Sequence, residues 1–260
     1  MRWPWSGERG APLLHVAMDE GEGPVVILVH GIASSSITFQ KLVPRLTDTH
    51  RVIALDILGF GESPAPANAS YTIEEHARAL SATIRSLRLG APFVLVGHSL
   101  GALIASRYAA ERPQSVAKLV LVSPPIYLDP KAFGSARYRT AMGLYLRVYE
   151  YLRENKTFTM RAANGLDRLS PIRHVLQVSE QNWTAFRLSL QNAIESQTTV
   201  SDIARVRVPV EIVYGNLDPF LMPGGIQIVS TMRHVSVRKV EASDHLLRKR
   251  LAKAVAAAVG

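Results

Sequence analysis

The stretch Phe93 to Gly101, F-V-L-V-G-H-S-L-G, decides how the rest of the chain is read. Its apolar start predicts a short buried strand, Gly97 to Gly101 predict a sharp turn, and a helical pattern opens at Leu100. A serine on such a strand-to-helix turn takes a strained backbone that projects its hydroxyl, while the flanking glycines let strand and helix approach closely. This is the pattern of a nucleophile elbow at Ser99. The helix behind it also brings the positive end of its dipole to where an oxyanion forms.

Similar short runs rich in valine and isoleucine occur at Val25 to His30, Arg51 to Asp56, Lys118 to Val122, Val210 to Tyr214 and Val235 to Val240. Continuous apolar runs of this kind suit strands covered on both faces. Helical patterns between them, at about Ser36 to Leu46, Ile73 to Leu87, Leu100 to Glu111, Pro223 to Met232 and His245 to Val259, predict parallel strands joined by crossover helices. Leu13 to Met18 is a candidate edge strand. The expected fold class is therefore α/β, a mostly parallel sheet flanked by helices.

Pro124 to Val200 breaks the rhythm, with several helical patterns and no clear strand. It reads as a helical cap (124–200) inserted into a core formed by 1–123 and 201–260. Tyr138, Met142, Tyr145, Tyr149 and Leu152 recur at spacings of 4, 3, 4 and 3 and so share one helical face. Such a stripe ordinarily packs a segment onto its domain. It also makes Tyr138, Met142 and Tyr145, together with His98, candidates for lining a substrate pocket.

A serine hydroxyl needs a base to take its proton and a third group to orient that base. After the strand at Val210 to Tyr214 comes G-N-L-D-P, which places Asp218 beyond its carboxyl end, where open parallel sheets build their sites. After Val235 to Val240 comes E-A-S-D-H, which places His245 in the next such loop. The order Ser99, Asp218, His245 is the chain order of a triad on this kind of sheet. Asp129 and Asp244 are rivals for the acid, but Asp218 follows its strand directly, and Asp244 is too near His245 in sequence to orient the ring. Asp56 and the glycines after it read as loop-shaping, and Ser34, Ser35 and Ser36 as a helix N-cap region.

On these residues the chain resembles the α/β-hydrolase fold superfamily over nearly its whole length, in its capped serine hydrolase branch. The matching elements are H-G-I at His30 to Ile32, D-I-L-G-F-G-E-S at Asp56 to Ser63, G-H-S-L-G at Gly97 to Gly101, and the pair Asp218 and His245. The resemblance implies that Ser99 attacks, His245 is general base and then acid, and Asp218 holds the imidazole. It also implies an oxyanion hole made by the backbone N–H groups of Ile32 and Leu100. Ala102 stands where many relatives have glycine. The loop G-I-A-S after His30 differs from the glycine-rich run of one lipase and esterase group. Serine at position 99, where haloalkane dehalogenases and epoxide hydrolases carry aspartate, disfavours an alkyl-enzyme mechanism.

Composition narrows the possibilities. A chain of 260 residues with 47% hydrophobic and 20% charged residues has the apolar surface to form one large core, which excludes disorder as the main state. No apolar run approaches the roughly 20 residues of a membrane-spanning helix, and M-R-W-P-W-S-G-E-R-G does not read as a secretory signal. A cytoplasmic protein is the expectation. Zero cysteines exclude disulfides, thiolate metal sites and a cysteine nucleophile. The histidines lack metal-ligand spacing, so neither metal nor cofactor is expected.

The formal charge is +9, and 23 of the 30 basic residues are arginine, spread along the chain with no basic stripe or nucleic-acid-binding module. Residues 124–200 carry ten basic against six acidic side chains, a balance of +4 that suits carboxylate-bearing substrates or simply solvated helix faces. The leading expectation is a serine hydrolase of a carboxylic ester working through an acyl-enzyme. Its alternatives are a carbon–carbon bond hydrolase of the meta-cleavage-product type, whose relatives commonly carry asparagine where this chain has His98, and a ligand-binding protein on the same fold. Sequence alone gives no oligomeric state.

Overall fold

The computed structural model describes residues 10–127, 136–169, 172 and 175–260. Seven strands form one sheet: β1 (Val16–Glu20), β2 (Val25–Val29), β3 (Arg51–Leu55), β4 (Phe93–His98), β5 (Val116–Val122), β6 (Val210–Gly215) and β7 (Val235–Val240). Their spatial order is β1-β3-β2-β4-β5-β6-β7. β1 runs antiparallel to β3 and every other pair is parallel. The register aligns Val29 with Gly97 and His98 with Val122, so the carboxyl ends of β2, β4 and β5 reach one edge together.

The apolar strands are continuous because both faces are covered. Ile27, Val29, Leu95, Leu119 and Leu121 point into the larger core. That core includes residues of α1 (Ile73–Ser86), α2 (Leu100–Glu111), α6 (Thr199–Arg205) and α7 (Pro223–Ser230). Val26, Leu28, Val96, Val120 and Val122 point the other way, onto α8 (Lys249–Val259) and the 36–46 segment. Between β5 and β6 the chain forms α3 (Ala136–Glu154), α4 (Lys156–Leu169) and α5 (Trp183–Ser189), the last running on as a π-helical turn (Leu190–Ile194) before α6. No strand occurs there among the described residues. None of the described helices is long and apolar enough to cross a membrane.

Two helix expectations need correction. Ser36 to Leu46 is not one α-helix but two 3-10 turns, Ser36–Phe39 and Val43–Arg45. Pro44 has no N–H to give and its ring crowds the preceding turn, which interrupts a continuous α-helix, and Asp56 Oδ1 caps the first turn by accepting the Ser36 N–H at 2.8 Å. The last helix begins at Lys249 rather than His245. The His245 carbonyl, which an α-helix started there would give to Lys249, instead accepts a hydrogen bond from His98 Nε2 at 2.8 Å. The edge strand also starts later than expected, at Val16, and β5 starts earlier, at Val116.

The helical segment is tied to the sheet's helices by charge. Arg107 of α2, nearly buried, donates to Asp202 of α6 at 3.0 Å, to Glu74 of α1 at 2.6 Å and to the Thr198 hydroxyl at 2.6 Å. Asp202 is fully buried and also pairs with Arg205. Three helices and the exit of the segment are therefore fixed to one guanidinium.

Candidate active site

Ser99 follows β4 and caps α2 with φ 54° and ψ −123°, a left-handed conformation that a side chain adopts only under constraint. Its N–H donates to the Val122 carbonyl at 3.0 Å and its own carbonyl accepts from Ala102 N–H at 2.9 Å. The glycines around it are sterically required. A Cβ on Gly97 would stand 2.6 Å from Ala102 Cα, and one on Gly101 would stand 2.7 Å from the Val29 carbonyl carbon. The strand-to-helix turn forecast from G-H-S-L-G is present, with Ser99 largely buried at its apex.

The His30 to Ile32 loop lies against this serine. A Cβ on Gly31 would meet Ser99 Cβ at 2.7 Å and Oγ at 3.2 Å, so only glycine allows the approach. His30, fully buried, accepts from the Ile57 N–H at Nε2 (3.0 Å) and donates from Nδ1 to the Gly31 carbonyl (2.8 Å). These partners fix its tautomer and spend both ring nitrogens on the loop. Ala33 holds the left-handed φ of 55°, and its carbonyl accepts from the Gln177 N–H at 2.6 Å, which fastens the 124–200 segment to this loop.

Asp56 shapes the neighbouring turn. Its carboxylate accepts from Ser36 N–H, Glu62 N–H and His15, and a Cβ on Gly61 would come within 2.7 Å of Oδ1. Burial works against the charge, but the Glu62 and Ser36 amides hold the Asp56 pKa well below the usual carboxylate range.

Asp218 and His245 meet directly. The His245 Nδ1–H donates to Asp218 Oδ2 at 2.8 Å, while Asp218 Oδ1 accepts the Phe220 N–H at 2.9 Å. Burial alone would raise the Asp218 pKa, but the hydrogen bond and charge of His245 and the Phe220 amide together lower it. With Nδ1 carrying the proton, the neutral imidazole presents Nε2 as a base. The ring is held from two sides, 4.8 Å from the His98 ring and 4.8 Å edge-on from the Phe220 ring.

His98 is the residue expected at the pocket wall. It is 5% exposed and sits against His245, donating from Nε2 to the His245 carbonyl. Burial, aided by the neighbouring His245, lowers its pKa to about 3, so it is a neutral donor. Because Ser99 follows it in sequence, His98 joins the nucleophile turn to the histidine loop.

Tyr145 reaches the acid loop, donating to the Pro219 carbonyl. Beside it, Tyr127 donates to the Phe220 carbonyl at 3.0 Å and pairs with the Tyr149 hydroxyl at 2.6 Å. Tyr138 and Met142 belong to α3, and their side chains lie outside the described residues, as does the whole of Asp129. Asp244, the other rival acid, pairs with Arg248 at 2.7 Å. Sequence reading did not single out Phe220 or Tyr127. An aromatic two residues beyond Asp218 was the available signal for the first, but nothing local marks the second. Among the described residues no group of three or more His, Cys, Asp or Glu is arranged to hold a metal ion.

Residues 24–202 match the family model described as alpha/beta hydrolase fold. The chain belongs to the α/β-hydrolase fold family. Within that family it is 36% identical over 118 residues to probable lysophospholipase BODYGUARD 2 of Arabidopsis thaliana, a match covering 44% of this chain and 25% of that protein. It is 34% identical over 128 residues to 2-(acetamidomethylene)succinate hydrolase of Mesorhizobium japonicum, covering 49% of this chain and 45% of the relative. The chain thus spans from a quarter to under half the length of these curated relatives. The crystal structure of E-2-(acetamidomethylene)succinate hydrolase superposes with a TM-score of 0.72 at 24% identity, covering 97% of this chain and 95% of that one. An enol-lactonase from Burkholderia xenovorans gives the same TM-score at 20% identity, covering 95% and 94%. Both structures speak for the fold.

Proposed function

We propose that this α/β-hydrolase cleaves a carboxylic ester through an acyl-enzyme on Ser99, with 124–200 acting as a helical cap. The observation that carries the reading is the Asp218–His245 pair joined through His98 to a serine held at φ 54° on a strand-to-helix turn. His245 Nε2 takes the Ser99 proton as Oγ adds to the ester carbonyl, and Asp218 stabilises the imidazolium. The tetrahedral oxyanion accepts from the N–H groups of Leu100 and Ile32, with the twelve-residue helix α2 adding its positive end. The imidazolium then protonates the departing alkoxide. Water repeats the sequence on the acyl-serine and releases the acid.

The relative named for a dicarboxylate substrate, together with the +4 balance of 124–200, supports placing carboxylate-bearing esters in the first substrate panel. The test is hydrolysis of p-nitrophenyl esters from acetate to palmitate, and of hemisuccinate esters, by the wild type and Ser99→Ala. Turnover with a chain-length optimum that Ser99→Ala abolishes supports the reading. Turnover retained by Ser99→Ala overturns it, and folded protein inert on the whole panel points to carbon–carbon bond hydrolysis or to ligand binding.

A further inference from the structure

We propose that Tyr127 is a positioning residue for the Asp218–His245 pair, with Tyr149 of α3 fixing the direction of its hydroxyl. The inference rests on the serine hydrolase reading above. Its starting point is the loop 216–220, which is exposed at Asn216, Leu217, Pro219 and Phe220 and buried only at Asp218. Leu217 is 64% and Phe220 40% exposed, so little apolar burial holds this loop. Yet Phe220 serves both partners: its N–H fixes Asp218 Oδ1 and its ring stands edge-on to His245. Whatever anchors the Phe220 peptide therefore sets acid and base together.

That anchor comes from the 124–200 segment. A phenol has one proton, and Tyr127 gives its own to the Phe220 carbonyl, which can only accept. The Tyr149 hydroxyl must then donate to the Tyr127 oxygen, and this defines a directed chain from α3 through Tyr127 to the acid loop. Tyr145 makes a parallel tie to the Pro219 carbonyl. The Tyr145 and Tyr149 rings each lie 5.8 Å from that of Tyr127, and Tyr127 and Tyr149 are almost fully buried, so the chain is rigid and shielded from water. Burial raises the pKa of both buried phenols, so they act as fixed donors and do not relay protons.

Tyr127→Phe keeps the ring and removes only the donor. The expected result is a fall in kcat of about tenfold with KM within twofold, since this hydroxyl is already engaged by Tyr149 and the Phe220 carbonyl and acts on the acid loop. Tyr149→Phe should cost about threefold, and Tyr127→Phe/Tyr149→Phe no more than Tyr127→Phe, because the second link acts only through the first. A readout independent of turnover is the downfield proton resonance of His245 Nδ1–H bonded to Asp218. It should shift or broaden in Tyr127→Phe and persist in Ser99→Ala. An unchanged resonance with wild-type kcat overturns the proposal, as does a kcat loss shared equally with KM at an unchanged resonance. Turnover surviving Ser99→Ala defeats the serine hydrolase reading alone, because the resonance still reports on the clamp.

Discussion

Gly31→Ala isolates the oxyanion loop from the rest of the site. The new Cβ would stand 2.7 Å from Ser99 Cβ, where ordinary contact begins near 3.4 Å, so something must move by about 0.7 Å. Ser99 cannot yield, because Gly97 and Gly101 already bring its turn against Ala102 and Val29 with no room for a Cβ. The loop must yield, and it carries the Ile32 N–H with it. Gly31 does not hold a left-handed φ, so alanine adds no backbone strain of its own and the fold survives. Losing one oxyanion donor costs roughly 100- to 1000-fold in kcat, and a displacement of this size places the variant near the lower figure. The assay is steady-state hydrolysis of the best p-nitrophenyl ester, with thermal unfolding measured on the same samples. A variant that keeps kcat within threefold of wild type would refute the assignment of Ile32, as would a loss that tracks unfolding.

Three other outcomes follow from the same geometry. His98→Phe keeps a ring against His245 but removes the donor to its carbonyl, a bond of about 1 kcal/mol. It should lower kcat five- to tenfold while the pH profile above pH 5 keeps its shape, because His98, with a pKa lowered to about 3, is already neutral there; a displaced profile would show that His98 titrates in the working range. Arg107→Met leaves Asp202 buried with Arg205 and the Thr198 hydroxyl, and should cost about 3 kcal/mol in urea unfolding, a loss under 1 kcal/mol arguing against the network as a tie between helices. Asp56 and Asp218 have pKa values depressed below the unfolded value of about 3.9. A depressed acid adds stability that is present above the unfolded pKa and lost as pH falls through the folded one. Stability should therefore decline below about pH 4, and Asp56→Asn, weaker at neutral pH, should show a flatter decline; equal slopes in urea midpoints between pH 5 and pH 2 contradict this.

Much of the architecture was legible because its signals are local. Six strands announce themselves as valine- and isoleucine-rich runs, and the serine turn is written in nine consecutive residues. Elements failed where a distant partner competes for a backbone group. Within 36–46, by contrast, the warning against a continuous helix was local, in Pro44, whose missing N–H and ring interrupt the turn. Nothing beside His245 says that its carbonyl belongs to His98, 147 positions earlier, and so the final helix starts late. The aromatic stripe on α3 showed its periodicity but not its destination. Tyr149 meets Tyr127, and Tyr127 meets a carbonyl 93 residues away, a pairing only the folded chain creates.

In the sheet, β5 lies between β4, which delivers Ser99, and β6, which delivers Asp218. The chain that leaves β5 therefore departs from the middle of the row of chemical groups. Its departure is pinned by the Ser123 N–H on the Val213 carbonyl and its return by Asp202 on Arg107. Both moorings belong to the scaffold and neither depends on what lies between them. The interval from Pro124 to Gln197 therefore starts and ends on fixed points, while Phe186, Leu190, Ala193 and Ile194 inside it pack into the larger core. On the proposed reading of 124–200 as a cap, exchanging its exposed helix faces while keeping Tyr127 and those core residues should change what is admitted to Ser99 and leave the acid loop at its present setting.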